Sequence, residues 1–210
     1  MQKESLKGMI RRLAEPLVRA QGLAIWGVEV VTSGRMLVRL YVDTPVPSAG
    51  AAAPVDEGIK DGADIAALSA TLDQCEEISR HLGLALDVEG AIDDAYVLEV
   101  SSPGLSRVFF EPGQMAPYVG DVVDARLNEA VGPEGGAPRR TWRGTLVAVE
   151  GASFTLSPVG VSEEGDVSPL GIGPVSIPWG AVRRANRVAI FHKPVKPGKG
   201  PSKKKAAKAG

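Results

Sequence analysis

The sequence predicts an α+β protein of two units, an N-terminal α-β-β-α-β arrangement over residues 1–106 and a small β-barrel over 107–192. A lysine-rich tail, 193–210, follows. Three observations carry this expectation. Two stretches, 4–21 and the run from Thr71, set apolar residues at three- and four-residue steps, the spacing of one helix face. Around and between them lie β-rich runs, one of which, Tyr96–Val100, alternates with period two. Beyond residue 107 come short β-rich runs punctuated by Gly and Pro, the pattern of a small barrel.

In the first helix Leu6, Met9, Ile10, Leu13, Leu17 and Ala20 share a face. Pro16 lies inside the pattern and is expected to kink or split the helix, because proline lacks the N–H and crowds the preceding turn. Gly22 is a stop. Ala24–Thr32 and Arg35–Asp43 read as a hairpin joined by Ser33-Gly34, close to the length of a tight two-residue loop. Residues 44–63 are rich in Pro, Ala and Gly without periodicity, the composition of a flexible surface insert.

The second helix starts at Thr71, since Thr71 and Gln74 have the spacing of a capping box. Leu72, Cys75, Ile78 and Leu82 form its apolar stripe, with Asp73, Glu76 and Glu77 off it and near the positive end of the helix dipole. Tyr96, Leu98 and Val100 then alternate with Val97 and Glu99 in a half-buried strand. Predicted barrel strands are Val122–Leu127, Thr141–Val149, Ser153–Ser157, Val175–Pro178 and Arg184–Ile190, with loop inserts at 128–140 and 158–174. Trp179 is expected at the core or rim before the last strand.

Composition narrows the function classes. Apolar residues make up 44% of the 210, but aromatics only 5%, so the cores are aliphatic. The single cysteine, Cys75, has no intramolecular partner for a disulfide, which fits a reducing compartment. No apolar run approaches the roughly 20 residues of a membrane span. The charged N-terminus MQKESLKGMIRRL lacks the apolar block of a signal peptide, so a cytoplasmic location is expected.

The net charge of −1 hides an asymmetry: seven lysines and no acids fall within 193–210, leaving 17 basic and 25 acidic residues, a net of −8, in 1–192. An acidic body argues against a broad phosphate-binding surface and fits docking on a basic protein.

No constellation of catalytic residues stands out. Cys75 lies on an apolar stripe, where a thiol is a small hydrophobe rather than a nucleophile. His81 and His192 are far apart and lack metal-ligand spacing, so no metal is expected. Glu76-Glu77, Asp93-Asp94 and Glu163-Glu164 are adjacent pairs, which on a helix point apart and cannot share acid–base work. The Gly-rich runs at 132–138 and 171–174 lack the Lys-Ser/Thr of a phosphate loop, so no nucleotide cofactor is expected.

Three groups of residues remain as binding candidates. Ser101, Ser102, Pro103, Gly104 and Arg107 form a shaped connector between the two units. Serines and a guanidinium at a turn can hold a phosphate or carboxylate. Local backbone bonding by the serines, with Arg107 paired to an acid across the junction, is favoured over that. Arg139, Arg140 and Arg143 surround Trp142, either an RNA-facing stack or ordinary strand-end charge, and Arg183, Arg184 and Arg187 flank the last strand. The tail, with Lys203, Lys204 and Lys205, either binds phosphate in a salt-sensitive way or solubilises the chain.

The run YVLEVSSPGLSR, Tyr96–Arg107, closely resembles the segment that joins the two domains in the RimP family of ribosome maturation factors. The family pattern there is Leu-Glu-Val-Ser-Ser-Pro-Gly-Leu-Asp-Arg-Pro. Leu98–Leu105 and Arg107 follow it, while Ser106 and Val108 depart from its Asp and Pro. TLDQCEEISR from Thr71 resembles the family's second helix. The inserts and tail lie outside the resemblance.

The resemblance implies an SH3-like or Sm-like barrel in the second unit. It also implies a non-enzymatic factor for the immature small ribosomal subunit, in contact with a small-subunit ribosomal protein near the decoding region. A monomer without a membrane association is expected. The rival is a general RNA-binding module or RNA chaperone, because the α-β-β-α-β unit is KH-like in outline and small barrels bind RNA widely. The −8 body and the lack of a GXXG loop count against it.

Overall fold

The computed structural model describes residues 3–32, 34–45, 69–90 and 92–190. The insert from residue 46, and the tail with Lys203, Lys204, Lys205 and His192, therefore lie outside the described residues.

The first unit consists of α1 (Lys3–Ala20), β1 (Ala24–Val31), β2 (Met36–Asp43), α2 (Leu72–Glu89) and β3 (Tyr96–Ser101). Its sheet order is β1-β2-β3, with β1 antiparallel and β3 parallel to β2. A parallel neighbour requires a long crossover, and α2 lies in it. Leu6, Ile10, Ala14 and Val18 of α1 join Cys75, Ile78, Leu82 and Leu86 of α2 over Val28, Val30, Val38, Leu40 and Val42 of the sheet.

Three details differ from the sequence expectations. Helix α1 is not split at Pro16 but runs through it as one element; Ala14 and Val18, either side of it, are fully buried and hold the turn in place. The β1–β2 connection is longer than two residues, the last pair being Val31 opposite Leu37. Register is set by burial: Val30 opposite Val38 and Val28 opposite Leu40 all face the helices. The stripe of α2 begins one turn later than expected, with Leu72 83% exposed and Leu86 extending it instead. The capping box does form, Thr71 Oγ1 accepting from the Gln74 N–H and Gln74 Oε1 from the Thr71 N–H.

The second unit is β-rich: β4 (Val108–Phe109), β5 (Val122–Val131), β6 (Arg139–Glu150), β7 (Ser153–Val161), β8 (Val167–Pro169), β9 (Val175–Pro178) and β10 (Val182–Arg187). Short 3-10 turns span Pro112–Tyr118 and Trp179–Ala181. The sheet order is β4-β10-β5-β6-β7-β8, with β9 also on β7. Residues from β4, β5, β6, β7, β9 and β10 meet in one cluster around Phe154, Leu156, Leu146 and Ile177, so the sheet curls about a single core. Trp179 is half-buried at the rim, edge-on to Phe154.

The stretches 128–140 and 158–174, read as loops from sequence, are loop only in part, because β5, β6, β7 and β8 extend into them. Their exposed polar residues, Asn128 and Glu129 among them, show no alternation, yet backbone pairing continues: Val131 lies opposite Arg139 and Val159 opposite Pro169. The last strand ends at Arg187 rather than residue 190.

Candidate functional site at the junction of the two units

The connector joins β3 to β4 directly, and its shape follows from Gly104. With φ +65° the backbone there is left-handed, a conformation glycine adopts without steric cost. The turn sends Arg107 back over the first unit. Its Nε donates to the Gly104 carbonyl at 3.3 Å, and Nη1 lies 2.9 Å from Asp43 Oδ2. The guanidinium also lies over two rings, 5.0 Å from the Trp26 centroid and 5.4 Å from Tyr118. Arg107 therefore ties the end of β2 to the first strands of the second unit.

Asp43 is the buried charged residue of the described chain, 4% exposed. Burial pushes its carboxyl above the usual range; Arg107 and hydrogen bonds from the Thr44 N–H, at 3.0 Å, and the Ser69 side chain pull the other way. A buried carboxylate without such partners would be costly, so the pair stands or falls together.

The rest of the junction is built by a β-bulge. In β1 the register jumps between Ile25 and Gly27, leaving Trp26 as the extra residue. Bulges re-aim side chains, and here the indole enters the core of the second unit beside Phe109 rather than that of its own. Trp26 Nε1 donates to the Val108 carbonyl at 2.6 Å, and the Trp26 carbonyl accepts from Gln114 Nε2 at 2.7 Å. Next to it Gly27 lets the Phe110 ring lie against the strand; a Cβ at this position would overlap the ring. Phe110 also meets Tyr41 at 5.7 Å between centroids. Farther along β1, Glu29 is 3.1 Å from Arg184 of β10 and accepts from Tyr41 Oη.

Ser101 is exposed and Ser102 half-buried, and neither side chain makes a hydrogen bond to another described residue; the expected bonding to the turn's own backbone is not formed. Ser106 Oγ instead accepts from the Ala189 N–H at 3.4 Å. Pro103 is half-buried in the connector.

The barrel group does not assemble as an RNA stack. Trp142 is 3% exposed and its Nε1 donates to the Val131 carbonyl at 2.8 Å, so the ring is core. Arg139 covers it from outside at 5.3 Å. Arg143 is committed to Asp124 through two bonds, of 2.6 and 2.7 Å, which raise its pKa. Arg140 is exposed.

Sequence reasoning missed Trp26, Gly27, Asp43, Phe110 and Gln114. The available signal was Trp26-Gly27 inside a strand pattern, since an interior glycine marks a bulge or a close approach. Asp43 carried none, because an acid at a strand end reads as solvated.

The site is suited to holding two units at a set angle. Among the described residues no three His, Cys, Asp or Glu side chains gather as a metal site. Cys75 is buried, and burial pushes its thiol up, away from the reactive thiolate. No described helix is long and apolar enough to cross a membrane.

Comparison with known proteins places this geometry. Residues 13–106 match the family model described as the RimP N-terminal domain. The chain is 53% identical to the ribosome maturation factor RimP of Desulfovibrio desulfuricans, over 95% of this chain and 86% of the relative. It is 40% identical to that of Nitratidesulfovibrio vulgaris strain Miyazaki F, over 96% of this chain and 90% of the relative. It is 32% identical to that of Lawsonia intracellularis, with 93% of each covered. Identity of this extent runs through both units and the connector between them, and the chain belongs to the RimP family of ribosome maturation factors.

Proposed function

We propose that this chain is a non-enzymatic, cytoplasmic assembly factor that binds the immature small ribosomal subunit and promotes its maturation. The carrying observation is 53% identity, across 95% of the chain, to a protein named a ribosome maturation factor. The mechanism is binding energy alone: a surface complementary to an assembly intermediate shifts the population along the pathway and is released by the finished particle. A rigid junction supports this, because two units held by Arg107, Asp43 and Trp26 present one pre-formed surface and lose less entropy on docking.

The contact is with a small-subunit ribosomal protein near the decoding region, through the second unit, by a monomer of this chain. The acidic balance of residues 1–192, net −8, supports a basic protein partner. Lys203, Lys204 and Lys205 add a salt-sensitive share of affinity for the subunit's RNA.

Co-sedimentation of the purified chain with small subunits, large subunits and joined ribosomes tests the reading. Travel with free small subunits alone is expected, and truncation at His192 lowers affinity at low salt. Equal travel with all particles, abolished by salt or by tail removal, would replace it with general RNA binding.

A further inference from the structure

A second feature of the junction lies beside the contacts that hold it together. Between the two units lies an open cleft of about 450 Å³, lined by Lys7 of α1, Glu29 of β1, Phe110, Arg126 of β5, and Arg183 and Arg184 of β10. That volume is within the range of about 300–1,000 Å³ typical of ligand sites. Four cations face one carboxylate in it, within a body whose charge is otherwise acidic.

The arginines converge for a structural reason. Arg184 of β10 is directly opposite Arg126 of β5, and the register between these strands shifts between Val182 and Arg184. Arg183 is the extra residue of that bulge. Without it, alternation would turn Arg183 inward and Val182 outward; with it, Val182 packs on the core while Arg183 and Arg184 are both exposed beside Arg126.

Like charges facing each other across strands destabilise a sheet unless an anion lies between them. Glu29 serves Arg184, and it is shared with Tyr41 and Arg39. Lys7 pairs with the exposed Glu4 on its own helix. Arg126 and Arg183 have no ion-pair or hydrogen-bond partner among the described residues.

We propose that this interdomain cleft binds the phosphodiester backbone of single-stranded RNA, with Arg126 and Arg183 as the phosphate ligands. Guanidinium forks match phosphate oxygens in pairs. The half-buried Phe110 ring, packed against Gly27, lines the same wall, and cations beside an aromatic surface are what single strands use. A purely acidic peptide such as polyglutamate would leave the ring unused. Because Lys7 belongs to the first unit and the arginines to the second, a bound strand bridges both and reads their relative angle. The proposal rests on the ribosome-assembly reading, which brings the chain to RNA.

The test uses full-length chain, tail included, with Arg126→Ala, Arg183→Ala, the double variant and Arg35→Ala, which removes an equal charge from an exposed site elsewhere. Thermal melting checks folding, which removing one of several like charges is not expected to impair. The probe is a short fluorescein-labelled single-stranded RNA, titrated over a range of salt, with polyglutamate as a second probe. The slope of log K against log salt is expected to fall by about 0.7 for each phosphate left without its arginine, so about 1.4 in the double variant, with Arg35→Ala matching wild type. Slopes and affinities unchanged in the double variant would overturn the proposal. So would loss of polyglutamate binding with RNA binding intact, which would make the ligand an acidic protein segment. Co-sedimentation of wild type with small subunits is measured alongside: its presence while RNA affinity is unaltered by the variants sinks the cleft alone, whereas its absence sinks the assembly reading itself.

Discussion

Replacing Arg107 by alanine should expose how the two units are held. The substitution leaves Asp43, 4% exposed, with the Thr44 N–H and Ser69 but no cation. Removing one partner of a buried ion pair typically costs about 3–5 kcal/mol, since the remaining charge stays desolvated. Loss of the guanidinium from between Trp26 and Tyr118 adds to this through cation–π contacts worth about 0.5–2 kcal/mol each. Interactions that share one guanidinium do not add in full, so about 4 kcal/mol in total is expected.

The pH dependence is specific. Burial already raises the Asp43 carboxyl, and without Arg107 it rises further. An acid whose folded pKa lies above its unfolded value favours the fold when protonated, and that contribution is lost as pH rises through the folded pKa. The deficit of Arg107→Ala is therefore largest near neutral pH and shrinks in acid. Urea unfolding followed by tryptophan fluorescence at about pH 7.5 and about pH 5, with Arg35→Ala as control, measures it. Hydrogen exchange at Trp26–Gly27 and Val108–Phe110 should quicken in the variant. A deficit below about 1 kcal/mol, the level of a surface pair, or one independent of pH, would refute the reasoning.

Other substitutions test neighbouring contacts. Gly27→Ala drives a methyl into Phe110 and should cost about 1–3 kcal/mol, largely recovered when Phe110 is also shortened to leucine; equal stability of the single variant and wild type would contradict the close approach. Trp142→Phe should destabilise the second unit by about 1 kcal/mol through the lost bond to Val131 and leave RNA and subunit affinity untouched; a selective loss of RNA binding would restore the stacking role. Thr71→Ala should lower stability by about 1 kcal/mol by removing the cap of α2, with Thr71→Ser close to neutral in the same denaturation assay.

Local rules made much of the fold legible. The capping box at Thr71 and Gln74, the alternation of β3 and the turn at Pro103-Gly104 are short-range features, and each is present where its residues place it. The family was legible for a similar reason, since the connector run is long and its composition unusual. Errors arose where pairing rather than pattern decides. The exposed arms of β5 and β6 carry polar residues whose strand state comes from the neighbouring backbone. Pro16 stays inside α1 because its flanking residues are buried in a core that no local rule describes.

The sequence by itself determined the element order of the first unit, the β-rich character of the second though not its strands β4 and β8, the acidic body with its basic tail, and the family. Tertiary structure alone decided what the candidate residues do. Arg107 meets Asp43 across 64 positions of chain, and Trp26 leaves its own sheet's core for its neighbour's, because bulges and turns re-aim side chains by amounts that no periodicity encodes. Trp142, which in sequence stood among arginines as a stacking surface, is core because its strand faces inward at that residue. Arg126 drew no notice in sequence, and a register shift brings it beside Arg183. Burial and long-range pairing set a side chain's energy, and both are properties of the folded chain as a whole.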